Sequence, residues 1–189
     1  LSNDAHHNLI GGTIAAAGNV IGRNTASGVF ISGAGTSNNA VFGNYIGTDA
    51  RGMLSLGNLF GIVNGDSSNL IGGALPGQSN TIAFNTVGMR SSSVNNSRNV
   101  FYGNLQLAVD VPADGITLND DPDTLDGQVG MPVITSAFLN PDRTVLTVMG
   151  FAPRPGVAVE LYLTDTSVSG LGQGRTWVAT LVEGAAGAI

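Results

Sequence analysis

The chain has 189 residues, a net charge of −6 and neither cysteine nor lysine. The acidic excess argues against nucleic acid or an anionic membrane as a partner, and no stretch approaches the roughly 18 apolar residues of a transmembrane helix. Without cysteine there are no disulfides or thiolate metal sites, whereas 42% hydrophobic residues provide enough apolar surface to argue against disorder.

A six-residue phrase recurs along residues 8–111: asparagine, any residue, a large apolar residue, two further residues and asparagine again. Its four copies begin at Asn19, Asn39, Asn80 and Asn99 and end at Asn24, Asn44, Asn85 and Asn104. Their starts are 20, 41 and 19 residues apart, so the period is near 20 with one interval doubled. The phrase Asn-Leu-Ile-Gly-Gly stands at 8–12 and 69–73, each time 11 residues before a copy of the first. This spacing predicts a solenoid of stacked short units.

Short apolar segments between the asparagines predict strands. In the first copy, Val20 and Gly22 point opposite to Ile21, so that every second residue enters the core. A second series of strands begins at 28–32 and recurs at 61–65, 86–90 and 107–111. We expect a β-solenoid of about four coils with two or three sheets per coil. The insertion 45–58, in the doubled interval, is expected to leave the coil and fold back on it.

The eight asparagines of the six-residue phrase have a predicted structural role at the corners of the coils. Asparagine tolerates the backbone conformations that a sharp corner requires. If the same corner of successive coils carries asparagine, the side-chain amides can hydrogen-bond along the stack as a ladder. The alternative is that these asparagines simply favour turns, without bonding to one another. The regular spacing of these asparagines along the chain favours the ladder. The glycine pairs at 11–12 and 72–73 are expected to form further corners.

The repeat ends near residue 111, and the sequence pattern changes after it. Residues 112–129 form an Asp-rich junction, and residues 130–189 contain four longer alternating runs separated by turn residues. These runs, at 132–139, 144–152, 157–165 and 175–183, predict strands of a β-sandwich that is incomplete within this sequence. Its core is expected to contain Phe151, Tyr162 and Trp177.

The acidic run is the best candidate for a metal site. Its oxygen-bearing side chains are Asp110, Asp114, Asn119, Asp120, Asp121, Asp123 and Asp126. Calcium takes 6–8 oxygen ligands from loops of this kind, and a bound cation would relieve the repulsion between the carboxylates. We therefore expect a Ca²⁺ ion that rigidifies the junction. The alternative is a solvated linker whose aspartates form turns, because the EF-hand pattern is not met.

These phrases resemble those of bacterial secreted proteins in which a right-handed parallel β-helix precedes an Ig-like module. The resemblance is carried by residues 8–13, 43–52, 114–123, 131–137 and 170–176 and covers nearly the whole chain. It implies a right-handed β-helix over 1–111 and an Ig-like β-sandwich over 130–189. It further implies that the module continues past residue 189 or is completed by another chain. Parallel β-helices host polysaccharide-modifying enzymes as well as adhesins and surface scaffolds, so the fold does not decide the activity.

The repeat offers little for catalysis. Between residues 8 and 109 the carboxylates are Asp49 and Asp66, and a paired-carboxylate mechanism requires two such groups about 5–9.5 Å apart. His6 and His7 are adjacent and, on a strand, point to opposite faces, so a shared metal is not expected. The aromatic residues of the repeat are expected mostly in the core, with Tyr45 and Tyr102 as exposed exceptions.

We therefore expect a non-enzymatic structural protein of the cell surface or extracellular space, serving as a stalk, fibre or surface-layer element. A short stack has two open ends with unpaired backbone groups, which favours contact with other copies of the chain or further repeats of a longer chain. The alternative function is carbohydrate binding or polysaccharide modification on a face of the β-helix, with glycans as partners.

Overall fold

Twelve short strands form four coils in the first part of the chain. In the computed structural model of this protein, residues 1–66, 68–92, 96–111, 132–152, 156, 158–165 and 170–182 are described. The first coil contains β1 (Leu9–Gly11), β2 (Val20–Ile21) and β3 (Ser27–Ile31), and the second β4 (Ala40–Phe42), β5 (Tyr45–Ile46) and β6 (Phe60–Asn64). The third contains β7 (Leu70–Gly72), β8 (Thr81–Ala83) and β9 (Val87–Ser91), and the fourth β10 (Asn96–Ser97), β11 (Val100–Tyr102) and β12 (Val109–Asp110).

Corresponding strands of successive coils pair in parallel. The first strands of the four coils make sheet A, the second strands sheet B and the third strands sheet C. Each sheet is thus ordered along the stack, with strand i next to strand i+3. The predicted parallel β-solenoid of about four coils is confirmed, with three sheets per coil.

Inward side chains of the three sheets form columns along the stack. Strand register places them in the series Ile10, Val41 and Ile71 in sheet A, Ile21, Ile46, Ile82 and Phe101 in sheet B, and Val29, Ile62, Met89 and Val109 in sheet C. The members in the second and third coils are fully buried. Burial of such a side chain contributes about 1.5–3 kcal/mol, so the columns supply the main apolar driving force.

The expectation that most aromatic residues enter this core is wrong. Phe101 is buried, with 5% of its surface exposed, whereas the Phe30 side chain is 51% exposed. The cause is the two-residue alternation of a strand: Val29 and Ile31 point inward, so Phe30 between them points outward. The three-residue strand β4 likewise buries its central Val41 and leaves Phe42 partly exposed.

The coils are not uniformly 20 residues long. The shortest step in the stack is 19 residues, from Asn80 to Asn99, and the other steps of the same corner are 25 and 36 residues. The 20-residue interval from Asn19 to Asn39 is therefore not one coil, because Asn19 stacks on Asn44. The period was misread because Asn39 begins a sheet A strand, while the other three copies of the phrase span sheet B.

As predicted, an insertion leaves the second coil and returns to it, here between β5 and β6. The predicted bounds of 45–58 are too wide, because Tyr45–Ile46 is strand β5 of sheet B and Ile46 is fully buried in the core. Thr48 and Ser55 form an isolated antiparallel bridge at its base. The Leu56 backbone N–H then donates to the Gly47 carbonyl oxygen at 2.9 Å. This hairpin-like closure returns the chain to the stack at Asn58.

The C-terminal part contains the four predicted strands, arranged as two antiparallel hairpins. They are β13 (Val133–Leu139) with β14 (Leu146–Phe151), and β15 (Ala158–Asp165) with β16 (Gln173–Val182). The expected sandwich core is not observed at Phe151, which is 46% exposed. Trp177 instead lies with its ring 4.0 Å from the guanidinium carbon of Arg98, a residue of the solenoid. No helix of the described residues is long and apolar enough to cross a membrane.

Two compact units divide the chain differently from the predicted domains. The first combines Leu1–Ile116 with Tyr162–Trp177, and the second combines Thr117–Leu161 with Val178–Ile189. Strands β15 and β16 thus contribute residues to both units. The physical reason lies in the first unit, where Gln173 of β16 hydrogen-bonds to Asn104 of the last coil.

Shortening an inward side chain of a column should lower the free energy of unfolding far more than shortening an outward side chain of the same sheet. Ile46→Ala removes a fully buried side chain between Ile21 and Ile82 and should lower the free energy of unfolding by about 2–5 kcal/mol. Val20→Ala, on the exposed face of the same sheet, should change it by about 0.5 kcal/mol or less. Urea unfolding followed by circular dichroism compares the two, and equal losses would contradict the assigned faces.

Candidate functional site

Three asparagine ladders run along the corners of the solenoid. The first ladder contains Asn8, Asn39 and Asn69, the second Asn19, Asn44, Asn80 and Asn99, and the third Asn24, Asn58, Asn85 and Asn104. All eight asparagines of the six-residue phrase belong to these ladders. Sequence reasoning missed Asn8, Asn58 and Asn69. The phrase Asn-Leu-Ile-Gly-Gly marks Asn8 and Asn69, but the insertion hides the spacing of Asn58.

Each rung of a ladder is a fork of two hydrogen bonds. The backbone N–H and the Nδ2–H of one asparagine both donate to the Oδ1 of the asparagine one coil further along, as in the step from Asn44 to Asn80, where both distances are 3.0 Å. Interior members also donate Nδ2–H to a backbone carbonyl, for example from Asn85 to the carbonyl of Ile46. The buried amides are therefore satisfied, which avoids a penalty of about 1–3 kcal/mol for each unpaired group.

The two ends of the stack differ. At the last coil, the Gln173 Oε1 accepts the Asn104 N–H and Nδ2–H, both at 3.0 Å, and the Gln173 Nε2 donates to the Asn104 carbonyl oxygen. Gln173 is 1% exposed and takes the place of a further rung in the third ladder. At the first coil, the Oδ1 atoms of Asn8, Asn19 and Asn24 accept no hydrogen bond from any described residue, and these three side chains are exposed.

A groove of about 360 Å³ lies at the corner between sheets A and B. It follows from unequal connections: residues 12–19 and 73–80 join these sheets in the first and third coils, whereas Gly43 and Asn44 alone join them in the second. The two longer loops therefore stand on either side of a short corner. The side chains that line the groove include Thr13, Ile14, Tyr45, Ser79 and Thr81, and none of its lining residues within the described ranges is charged.

The loops beside the groove are held in place by backbone contacts. The Gly43 N–H donates to the Gln78 carbonyl oxygen at 3.3 Å, and the Leu75 N–H donates to the Gln78 side-chain oxygen at 3.0 Å. Gly77 has φ of +79°, and a Cβ there would collide with the carbonyl oxygen of Thr13. Glycine is therefore required where the two loops meet.

Both carboxylates of the repeat are engaged in turns. Asp49 accepts hydrogen bonds from the backbone N–H groups of Leu54 and Met53, which hold the pKa of its carboxyl below the usual value. The Ser68 hydroxyl and backbone N–H likewise lower the pKa of Asp66. Hydrogen bonds to the ionised form thus stabilise both carboxylates as anions in the turns they close.

Tyr102 ties the insertion to the fourth coil. Its hydroxyl donates to the Gly52 carbonyl oxygen at 2.5 Å, and its ring makes an edge contact with Phe84 and lies under the Arg175 guanidinium at 5.0 Å. Burial raises the pKa of the Tyr102 phenol, which therefore stays protonated and able to donate. Tyr102 is thus a structural clamp on the insertion.

Asp110 is the one member of the predicted calcium site that lies in the described residues. Its Oδ2 is 3.3 Å from the Arg90 Nε, and the Arg90 guanidinium lies 5.0 Å from the Phe60 ring centroid. A calcium ion at Asp110 would therefore compete with a guanidinium for the carboxylate. Outside the described residues lie Asp114, Asn119, Asp120, Asp121, Asp123 and Asp126. Calcium binding by the acidic run stays a prediction.

His6 and His7 are exposed and lie outside any strand, so the opposite-face geometry expected for a strand does not apply. Their Nδ1 atoms are 2.8 Å apart, a hydrogen-bond distance. His7 has φ of +57°, so the backbone turns at this position and is not extended as a strand would be. Across the part of the chain that the structure describes, no group of three or more histidine or carboxylate side chains is placed to hold a metal ion.

No protein-family model, curated protein or solved structure matches the chain. The fold assignment therefore stands on strand pairing and on the ladders.

Loss of an asparagine inside a ladder should lower the free energy of unfolding more than loss of an asparagine at its end. Asn85→Ala removes the acceptor of the Asn58 fork and the Nδ2 donor to Asn104, while the backbone N–H of residue 85 still donates to Asn104. The buried N–H and Nδ2–H groups of Asn58 then lose their acceptor. At about 1–3 kcal/mol for each group, the free energy of unfolding should fall by about 3 kcal/mol or more. Asn24→Ala, at the exposed end of the same ladder, should lower it by about 1 kcal/mol. Chemical denaturation measures both, and a similar loss for the two variants would contradict a cooperative ladder.

Proposed function

We propose that the chain is a structural element of the cell surface or extracellular space, a short right-handed β-helix that acts as a rigid spacer in a stalk, fibre or surface layer. The observation that carries this proposal is the use of the repeat's side chains for stacking. Inward positions form apolar columns, and corner positions form the three ladders.

The charge distribution of the repeat supports a structural role over a catalytic one. Asp49 and Asp66 are held in separate turns by neighbouring backbone groups, and Asp110 is paired with Arg90. A hydrolase or lyase mechanism needs an acid and a base that converge on one substrate position. The carboxylates of the described repeat are instead committed to local structure.

The proposal includes the right-handed coiling of the solenoid and an Ig-like arrangement of the C-terminal strands. Right-handed coiling follows the general rule for crossovers between parallel strands, which holds in about 98% of cases. The two C-terminal hairpins are consistent with strands of an Ig-like sandwich. Location outside the cell is supported by the resemblance carried by residues 8–13 and 114–123.

The proposal is tested on the native particle in the cells that produce it. Antibody labelling of intact cells should place the protein outside the membrane, and electron microscopy should show the solenoid as part of an extended assembly with a repeat of about 4.8 Å along its axis. Labelling that requires lysis of the cells, together with isolated globular particles, would contradict the proposal. An unrelated cytoplasmic protein serves as the labelling control.

A second candidate function is binding of a neutral saccharide, and the groove between sheets A and B favours it. Its volume falls in the range of small-molecule sites, about 300–1,000 Å³. Tyr45 supplies an aromatic ring that can cover the apolar face of a sugar, and the hydroxyls of Thr13, Ser79 and Thr81 supply hydrogen-bond partners. The lack of charged lining residues fits an uncharged ligand.

A glycan array tests this second candidate directly. The wild-type chain should retain neutral glycans, and Ser79→Trp, which fills the groove, should abolish retention, as should Tyr45→Ala. Phe30→Ala serves as the matched control, because Phe30 is an exposed aromatic on a different sheet. Folded wild-type protein that retains no neutral glycan, or retention unchanged by Ser79→Trp, would rule out the groove as a saccharide site.

A further inference from the structure

Strand β16 crosses the last coil with three alternate side chains, each of which contacts a residue of that coil. The pairs are Gln173 with Asn104, Arg175 with Tyr102, and Trp177 with Arg98. All six residues belong to the first compact unit. Alternate positions of a strand share one face, and four residues advance the chain by about 13 Å. The segment 173–177 therefore passes β11 from the corner that carries Asn104 to the corner that carries Asn99.

Two of these contacts lead to loops of earlier coils. The Arg98 Nη1 donates to the Ala74 carbonyl oxygen at 2.9 Å, so Trp177 lies over a guanidinium that is bonded to the loop between β7 and β8. The Tyr102 hydroxyl donates to the Gly52 carbonyl oxygen in the insertion of the second coil. Strand β16 thus reaches two surface loops, each through one intermediate side chain.

The loop between β7 and β8 is one side of the groove between sheets A and B. We name residues 73–80 the third-coil wall. On the side of the second coil, the Gly43 N–H donates to the Gln78 carbonyl oxygen of the wall. On the side of the fourth coil, Arg98 donates to the wall. The Leu75 side chain is 66% exposed, so apolar burial adds little to these polar contacts in keeping the wall in place.

We propose that Arg98 and Trp177 are positioning residues for the groove, because through them β16 holds the third-coil wall in the geometry that binds a ligand. The cation–π contact keeps the Arg98 guanidinium in the place from which it donates to Ala74. Neither Arg98 nor Trp177 lines the groove itself. The choice of a neutral saccharide as ligand rests on the second candidate function proposed above, whereas the hold on the wall does not depend on it.

Amide hydrogen exchange tests the hold on the wall without any ligand. Trp177→Leu keeps a large apolar side chain and loses the ring face. The Leu75 and Gln78 amides, which are bonded within the wall, should then exchange about three- to tenfold faster than in wild type. Trp177→Phe keeps an aromatic face and should restore most of the protection. Val178→Ala, on the opposite face of β16, is the matched control and should leave both amides unchanged.

Two further variants show whether the effect is transmitted by Arg98. Arg98→Met keeps the length of the side chain but removes its donors, so the same two amides should exchange faster by a similar factor. Combining it with Trp177→Leu should add little, because both changes break one link. Tyr102→Phe, which removes the bond to Gly52, should instead speed exchange of the insertion amides that donate to Asp49 and leave the wall unchanged. Arg98→Met supplies the same measurement if Trp177→Leu does not fold, as judged by circular dichroism.

The glycan array extends the test to the ligand. Neutral glycans that the wild-type chain retains should bind Trp177→Leu about three- to tenfold more weakly and Val178→Ala with unchanged affinity. Unchanged exchange of the wall amides in a folded Trp177→Leu chain would overturn the proposal, and so would unchanged glycan affinity. Faster exchange in a chain that retains no glycan would support the hold on the wall and contradict only the saccharide function.

Discussion

The fork from backbone N–H and Nδ2–H to the next Oδ1 is the interaction on which the rest of the solenoid depends. It satisfies a backbone donor and a side-chain amide with a single acceptor, at a corner between two strands of the coil. It also sets the register, because an asparagine that slips along the stack loses both bonds. The apolar columns provide most of the burial energy, but Ile46 and Ile82 align because the corners on either side of them are tied.

The arrangement tolerates unequal coils because only the corners must match. Between Ile46 and Asn58 the chain makes a long excursion, yet Asn58 takes its place in the third ladder with bonds of 2.9 and 3.0 Å to Asn85. Loop closure becomes only slowly more unfavourable as a loop lengthens, so such insertions are compatible with a stable stack. Unequal connections are also what creates the groove beside Tyr45. Variation in loop length thus shapes the surface while the core stays periodic.

Much of this architecture could be predicted from the sequence, because residues in the repeat are chosen by local backbone needs. The phase of the asparagines predicted stacked coils, and alternation predicted that Ile21 points inward and Val20 outward. The position of Asn39 within its coil could not be recognised from the sequence. Its six-residue phrase follows the same residue pattern as the other three copies but spans a strand of sheet A, whereas they span strands of sheet B. Phe30 was misplaced because size and hydrophobicity alone do not state which face a strand position occupies. Gln173 was missed because it lies far away in sequence and is not an asparagine.

The single direction of the ladders has an electrical consequence. In every rung the side-chain oxygen points toward the first coil and the donating nitrogen toward the last, so the amide dipoles of each ladder are aligned along the axis. Aligned amides add in the same way as the peptide dipoles of a helix. Three parallel rows of them give the solenoid a negative pole at Asn8, Asn19 and Asn24, where cationic groups are favoured, and a positive pole at the opposite end.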